Sequence, residues 1–300
     1  MVASVLGRLR NEAKAQNVPF NQILQFYAIE RFLSRLSKSP HVDGVLLKGA
    51  LLLKTVGIPR ARPTLDIDLL RQGSADRASL VALVRDCALI EDASDGVTFD
   101  SDHMVVEDIM KDADYKGTRV QIPARMDKVR LSVQIDFGVG DIVVPRPRLI
   151  EYPVFLEQRP LRLRAYPIET AIAEKFQAMV ERDLANSRMK DFYDIWVCSR
   201  HLEFEGLVLA KSLVATFDRR ATPLPGERPT AFTPDYFGAQ THRLQWQAFV
   251  KRIGEAELVT RFPEIVAGVA DFIMPVATSC ARGMPFQSRW LAGGPWRGPS

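Results

Sequence analysis

One seven-residue segment, TLDIDLL at residues 64–70, constrains this chain more than any other feature. Apolar and polar residues alternate along it, which is the period of a β-strand with one buried face. The alternation predicts that Asp66 and Asp68 project from the same face, with their carboxylates close together. Two carboxylates held side by side are costly unless a cation neutralises them. The segment therefore predicts a metal site or, as the alternative, an exposed strand with a solvated acidic face.

A second segment carries a third carboxylate. Residues 130–137, RLSVQIDF, alternate in the same way and place Asp136 on the polar face of a predicted strand. Mg²⁺ prefers hard oxygen ligands and keeps open positions for water and substrate phosphates. We therefore predict that Asp66, Asp68 and Asp136 bind Mg²⁺, which would align an attacking hydroxyl with an α-phosphorus and stabilise the departing pyrophosphate.

The residues before the acidic strand favour this metal site. The segment LLKGALLLKT places Lys48, Gly49 and Ala50 at a predicted strand-to-helix turn, where free backbone N–H groups attract phosphate. Gly49 can take a positive φ or admit a close backbone approach. Arg60 and Arg62 follow, and an arginine side chain can bind phosphate through two parallel N–H groups. We predict that these five residues contact the phosphates of a nucleotide.

The pattern along the chain predicts an α/β fold with a short mixed sheet, followed by a largely helical part. Strand-like alternation occurs before residue 138, and helical spacing of apolar residues dominates from residue 169. A strand with flanking loops is predicted within residues 90–116, and residues 138–167, rich in proline and arginine, are interpreted as a connection. Helices are predicted at residues 21–36, 49–56, 79–88, 169–184, 188–202 with Ser187 as the N-cap, 206–217, 240–253 and 259–273.

Composition excludes several classes of protein. Hydrophobic residues make up 47% of the 300 residues and charged residues 25%, which is sufficient for a packed core. The longest apolar stretch, residues 44–53, is too short to cross a membrane, and the N-terminus lacks a secretory pattern. The three cysteines and four histidines form no close pair of zinc ligands. We expect a cytoplasmic protein without a membrane partner, with the monomer as the favoured state.

Arginine clusters contribute much of the formal net charge of +4. They suit an anionic partner such as a nucleic acid. A solvated arginine-rich surface explains the same clusters equally well.

Five segments together resemble the AbiEii/MenT nucleotidyltransferase toxins of type IV toxin–antitoxin systems, a branch of the polymerase-β-like superfamily. In chain order they are LLKGALLL, RPTLDIDLL, VQIDFGVGD, YPIETAIAEKFQAMV and NSRMKDFYDIW. The resemblance implies a nucleotidyltransferase domain at residues 1–165 and a helical domain at 166–290 that completes the active-site cleft. Residues 291–300, rich in glycine and proline, are predicted to be a disordered tail.

The resemblance also implies an activity. NMP passes from an NTP to the 3′ end of tRNA, pyrophosphate is released, and translation and growth are inhibited. A cognate antitoxin is the expected protein partner. Two alternatives remain open from the sequence: a transferase that modifies a small molecule or a protein, and a catalytically inactive module that binds nucleic acid or antitoxin.

Further site residues follow from the resemblance alone. Thr64 matches a hydroxyl position of the family, and Lys175 matches a lysine expected to hold phosphate oxygens. Asp194 matches an aspartate that orients Lys175 or accepts a proton, and Asp191 lies one helical turn earlier. Ala50 departs from the family, because the hydroxyl of the second small residue is lost. Without the resemblance, Lys175 would be interpreted as a surface lysine and the two aspartates as a solvated helix edge.

Overall fold

The computed structural model describes residues 2–58, 62–92, 94–112, 115–156 and 159–298. Arg60, which is predicted to bind phosphate, lies outside the described residues. The chain divides into two compact units. Unit 1 comprises Met1–Gly57, Pro63–Asp141 and Pro147–Tyr166, and unit 2 comprises Ile58–Arg62, Ile142–Arg146 and Pro167–Ser300.

Unit 1 is built on a large mixed sheet. Its α-helices are α1 (Val2–Ala15), α2 (Phe20–Lys38) and α3 (Arg77–Ala88). Its strands are β1 (Val45–Lys48), β2 (Asp66–Arg71), β3 (Thr98–Phe99), β4 (Val105–Asp112), β5 (Tyr115–Met126), β6 (Val129–Val139), β7 (Arg148–Tyr152) and β8 (Leu161–Ala165). The strand order is β3-β5-β6-β2-β1-β8-β7, with β4 also paired to β5. The β2–β6 and β1–β8 pairs are parallel, whereas β1–β2 and β5–β6 are antiparallel.

One face of the sheet is apolar because every second residue of its long strands is hydrophobic. In β6, Val133, Ile135 and Phe137 are fully buried. Helices α1 and α2 pack over part of this face. The resulting core cluster comprises Val5, Leu9, Ala13, Ile23, Leu24, Phe26, Tyr27, Val97, Ala124 and Met126. The polar residues of the same strands consequently project from the opposite face.

Unit 2 is largely helical and has an aromatic core. Its helices are α4 (Ile168–Arg182), α5 (Met189–His201), α6 (Gly206–Arg219), α7 (Pro234–Gly238), α8 (Gln240–Arg252) and α9 (Phe262–Ala281). A small antiparallel sheet comprises β9 (Phe204–Glu205), β10 (Arg289–Trp290) and β11 (Trp296–Arg297). The ring of Phe262 stacks on Trp246 at 4.8 Å and meets Phe192 edge-on at 5.6 Å. Such contacts between α5, α8 and α9 explain why this part of the sequence is rich in aromatic residues.

The mixed sheet followed by a helical part confirms the predicted fold class. The sheet is larger than expected, because residues 138–167 contain β7 and β8 and are more than a connection. In β8 the sequence LRLRA alternates, with Leu161 and Leu163 buried and Arg162 exposed. The arginines obscure this pattern in the sequence, although charged side chains are common on strands near a sheet edge.

Two local predictions were wrong. Ser187 does not cap the following helix: α5 begins at Met189 after Arg188, and the backbone N–H of Arg188 donates to Oδ1 of Asn186. Residues 291–298 of the segment predicted to be a disordered tail are structured, and residues 299–300 lie outside the described residues. Trp296 in β11 stacks on Phe272 at 5.7 Å, and its indole N–H donates to the Phe272 carbonyl at 2.7 Å. These aromatic contacts order a segment whose glycine and proline content suggested disorder.

Among the described residues, Ala256–Ala281 is long and apolar enough to cross a membrane by length and composition alone. The core helix of a soluble protein passes the same test. Within unit 2, this segment includes α9, whose residues Phe262, Ile265, Val269 and Phe272 are buried. The burial of this face is the behaviour expected of a core helix.

Candidate active site

The register of three neighbouring strands brings the predicted acidic residues together in unit 1. In the parallel pair β2–β6, Asp68 lies opposite Asp136. In the antiparallel pair β1–β2, Lys48 lies opposite Asp68. Because residues two apart on a strand share a face, Asp66 projects from the same face as these three residues.

The acidic cluster of Asp66, Asp68 and Asp136 has the donor set of a cation site. Each residue offers one carboxylate oxygen, and these oxygens lie within 4.8 Å of one another. Asp136 is buried and the other two are half-buried. Three carboxylates this close repel one another unless a cation is present. Three hard oxygen ligands with open space for others match the preferences of Mg²⁺.

Neighbouring groups fix the carboxylates of the cluster. The hydroxyl of Thr64, which is buried just before β2, donates to Oδ1 of Asp66. Gly49 has a φ of +71° and begins a 3₁₀ helix, Gly49–Val56, directly after β1. A Cβ on Gly49 would lie 2.1 Å from Oδ2 of Asp68. Gly49 therefore has both features that the sequence allows: a left-handed backbone conformation and a close approach of another group, here the Asp68 carboxylate. Ala50 follows and is buried.

Lys48 is paired with a carboxylate that the sequence reasoning missed. Its Nζ donates to Oδ2 of Asp141 at 2.6 Å, and both side chains are largely buried. The hydroxyl of Tyr166 donates to the same Asp141 oxygen at 3.1 Å. Asp141 is the last residue of the segment VQIDFGVGD, so its position in that motif was the available signal. The pairing orients Lys48 at the end of β1.

Arg119 is the second missed residue. Its guanidinium donates to both carboxylate oxygens of Asp136, at 2.8 and 2.9 Å. The hydrogen bonds to Asp136 raise the pKa of Arg119. Arg119 lies directly opposite Asp136 in the β5–β6 ladder. The sequence reasoning could not find this partner because it did not predict β5.

Unit 2 holds the other predicted residues in an ionic network of Arg62, Lys175, Arg188, Asp191 and Asp194. Nζ of Lys175 donates to Asp191 at 3.0 Å and to Asp194 at 2.7 Å. Arg62 donates to both oxygens of Asp194, at 2.8 and 3.1 Å. Arg188 donates to Asp191. Arg188 is a further residue that the sequence reasoning missed.

Burial and neighbouring charges shift the pKa values of this network in opposite directions. Burial alone would raise the pKa of Asp191 and of Asp194, but Lys175 and the arginines lower both. Burial alone would lower the pKa of Lys175, but the two carboxylates raise it. Lys175 has a side-chain exposure of 13%, and the carboxylates have none. The interpretation of these residues as a solvated surface is therefore wrong.

Comparison with known proteins bears directly on the resemblance. The model of the family described as nucleotidyl transferase AbiEii toxin, type IV TA system, matches residues 31–268. The chain belongs to the AbiEii nucleotidyltransferase toxin family. The predicted family resemblance is thereby confirmed over most of the chain.

One solved structure supports the fold of this AbiEii-family protein. A candidate nucleotidyltransferase from Helicobacter pylori is 15% identical and has a TM-score of 0.50, with 89% of this chain and 97% of that chain covered. JHP933 from the same organism is 15% identical and has a TM-score of 0.49, with 88% and 93% covered. No curated protein sequence gives a significant match.

The predicted site residues of the AbiEii-family protein form two groups. Lys48, Gly49, Ala50, Thr64, Asp66, Asp68 and Asp136 belong to unit 1, and Arg62, Lys175, Asp191 and Asp194 belong to unit 2. Within each group the structure brings the charged side chains together. Their roles in binding and catalysis, and the predicted cleft that would unite the groups, stay predictions.

Proposed function

We propose that this AbiEii-family protein transfers NMP from an NTP to a hydroxyl at the 3′ end of tRNA in a Mg²⁺-dependent reaction. The observation that carries the proposal is the acidic cluster of Asp66, Asp68 and Asp136 beside the Gly49 turn. In the reaction, the acceptor oxygen forms a bond to the α-phosphorus of the NTP. The bond from that phosphorus to the bridging oxygen breaks, and pyrophosphate leaves with the electron pair. The acceptor proton passes to solvent.

The chain's own residues would prepare this reaction by binding and orientation. Asp66, Asp68 and Asp136 would hold Mg²⁺, which neutralises phosphate charge and aligns the reacting oxygens when it is bound. Thr64 orients Asp66 by its hydrogen bond. Backbone N–H groups at the start of the 3₁₀ helix after Lys48 would bind phosphate oxygens.

Asp194 was left with two possible roles by the sequence, and its environment supports one of them. Its carboxylate accepts hydrogen bonds from both Lys175 and Arg62, which lower its pKa despite complete burial. A carboxylate held in its ionised form by two cations is a poor proton acceptor. Asp194 would therefore position Lys175, with Asp191 holding the same ammonium group from one helical turn away.

The biological part of the proposal follows from the family. The protein would act in the cytoplasm as a toxin that inhibits translation and growth by blocking tRNA ends, and an antitoxin would counteract it. Monomeric protein is the proposed active form. The family description of a type IV toxin–antitoxin system supports the antitoxin partner.

The test uses α-³²P-labelled NTPs, supplied one at a time with Mg²⁺ and total tRNA. The wild type is compared with Asp66→Asn and with Asp102→Asn, a matched change at an exposed aspartate of unit 1. Label on tRNA from the wild type and Asp102→Asn, but not from Asp66→Asn, would support the proposal.

Other results would contradict different parts of the proposal. Label on a small molecule or on protein, with none on tRNA, would reject the tRNA acceptor but keep the transferase. Absence of both labelling and Mg²⁺-dependent NTP binding would reject the activity and favour the inactive binding module.

A further inference from the structure

The sheet face that bears the acidic cluster continues well beyond it. In the antiparallel β5–β6 ladder, Arg119 lies opposite Asp136, and the pairs that follow on the same face lead away from the cluster. We call this line of side chains the polar track. Its polar members are Arg119, Gln121, Arg125, Arg130, Ser132 and Gln134, and Pro123 lies opposite Ser132 on the same face.

The polar track is the outer face of the β5–β6 hairpin. The alternate residues Ala124, Met126 and Leu131 pack in the core cluster under α1 and α2. Because successive side chains of a strand point to opposite faces, the track residues point away from that core. Arg125, Arg130 and Ser132 are accordingly exposed, and Gln121 and Gln134 are half-buried.

The far end of the track carries an unfavourable pair of charges. Arg125 and Arg130 are direct cross-strand partners. Like charges placed directly opposite each other destabilise a sheet. In the part of the chain that the structure describes, no carboxylate forms an ion pair with either guanidinium. A phosphate bound between the two arginines would remove the repulsion and use their paired N–H groups.

The length and chemistry of the track fit a single nucleic-acid strand better than a protein. Arg130 and Asp136 lie six positions apart on β6, which is about 20 Å at the rise of a β-strand. The track offers arginine, glutamine and serine side chains, which hydrogen-bond phosphates, sugars and base edges. It contains none of the aromatic or large apolar residues that form the centre of protein interfaces.

Other charged residues near the polar track do not reverse its positive charge. Lys128 and Asp127 at the hairpin tip offset each other, and Glu107 on β4 lies opposite Arg119. Arg119 is itself engaged by Asp136. Among the hairpin residues whose side chains the structure describes, the uncompensated positive charge is therefore that of Arg125 and Arg130.

We propose that the polar track binds the single-stranded 3′ end of the acceptor RNA, with Arg125 and Arg130 on its phosphates. The reactive terminus would lie at the acidic cluster, and the preceding nucleotides would follow the β5–β6 hairpin. This inference rests on the proposed function, because it assigns a surface to the acceptor of that reaction.

The experiment measures binding of tRNA without catalysis. Fluorescence anisotropy with end-labelled tRNA, in EDTA and without NTP, compares the wild type with the double variant Arg125→Gln/Arg130→Gln. We expect the double variant to bind about tenfold more weakly, and the slope of log K against log salt to fall by about 1.4, for two phosphate contacts on a single strand. Arg125→Lys/Arg130→Lys, which keeps the charges, should retain most of the salt dependence.

A matched pair of substitutions controls for net charge. Arg10→Gln/Arg85→Gln removes two exposed arginines of unit 1 from helices α1 and α3. This control should bind tRNA like the wild type. The thermal midpoint of Arg125→Gln/Arg130→Gln should equal or exceed that of the wild type, because the repulsion is removed.

The outcomes separate this inference from the proposed function. Equal tRNA affinity and salt slope in the wild type and the Arg125/Arg130 double variant would overturn the inference, as would loss of antitoxin binding with RNA binding intact. A wild type that binds tRNA through the two arginines but transfers no nucleotide would support the inference and reject the proposed reaction. Transfer to tRNA with an unchanged tRNA KM in the double variant would keep the reaction and reject the inference.

Discussion

The two units hold their aspartates in opposite electrostatic settings. In unit 1, three carboxylates converge, and Arg119 is the cation that donates two hydrogen bonds to one of them. In unit 2, the buried Asp191 and Asp194 contact three cations, Lys175, Arg62 and Arg188. The first arrangement brings three carboxylates close to one another, whereas the second surrounds two buried carboxylates with three cations.

The two electrostatic settings predict opposite effects when a charged side chain is removed. Converging carboxylates repel one another unless a cation binds, so removing one of them should harm the proposed activity and spare the fold. A buried ionic network loses hydrogen bonds and charge compensation that water cannot replace when one member is removed, so the fold should suffer first. Four predictions test the contrast, beginning with the largest effect.

The largest effect is expected for activity at the acidic cluster. Asp66→Asn should lower nucleotidyl transfer by at least about 10²-fold, because reacting groups lose their alignment. Its free energy of unfolding in EDTA should equal or exceed that of the wild type, since one of three repelling charges is gone. Labelled-NTP transfer and urea denaturation measure the two quantities. A marked loss of stability would show that the cluster is structural.

The ionic network of unit 2 should respond in the opposite way. Lys175→Met leaves two buried carboxylates with less compensation and should cost about 3–5 kcal/mol of unfolding free energy. Lys211→Met, at an exposed lysine of α6, is the matched control and should cost little. Adding Asp194→Asn to Lys175→Met should restore part of the stability. Full stability of Lys175→Met would instead assign Lys175 to function alone.

Glu30 of α2 provides a third electrostatic setting, because its carboxylate is buried with little compensation of its charge. Burial raises its pKa to about 7, although the Phe155 backbone N–H donates to it and Lys54 lies near. A raised folded-state pKa favours the protonated form, so stability is fully present below the unfolded value and is lost as the pH rises through 7. The loss is about 3 kcal/mol between pH 4.5 and 7.

Glu30→Gln should remove this pH dependence and increase stability at pH 8 by a similar amount. Urea denaturation at a series of pH values measures this pH dependence of stability, with the exposed Glu91→Gln as control. An unchanged slope in Glu30→Gln would mean that the carboxylate is ionised in the folded protein at neutral pH.

The smallest effect concerns the turn beside the acidic cluster. Gly49 and Gly57 have similar φ values of +71° and +69°, but a Cβ at Gly57 would meet no atom within 4 Å. Gly57→Ala should therefore cost about 1–2 kcal/mol for the left-handed backbone alone. Gly49→Ala should cost more and should also lower transfer activity, because the methyl group displaces Asp68. Equal effects of the two variants on stability and activity would contradict this reading of Gly49.

Much of the fold was predictable because its signals are local. Helical spacing located α2 to α6, α8 and α9, but not the short α7, and alternation located β2 and β6. The prediction failed where local composition masked the pattern, as in β8, where arginines alternate with buried leucines. It also failed at β11, where Trp296 is ordered by contacts with Phe272.

The candidate site divides in the same way. The sequence located Asp66, Asp68 and Asp136, since strand alternation sets the face of each side chain. Asp141 and Arg119 were missed because their partners are distant in the sequence, and Arg188 was missed although it lies only three residues before its partner Asp191. In the structure, a neighbouring strand or helix end places each of them in contact with a predicted site residue.

The sequence by itself determined the family, the fold class and the positions of the acidic residues, because motifs and periodicity depend on neighbours along the chain. Only the tertiary structure decided which charges meet. Lys48 pairs with Asp141 across 93 positions, and Arg62 pairs with Asp194 across 132. Charge compensation depends on strand order, register and burial, which are properties of the folded chain. Those same properties separate three carboxylates that converge on one another from two buried carboxylates that are paired with cations.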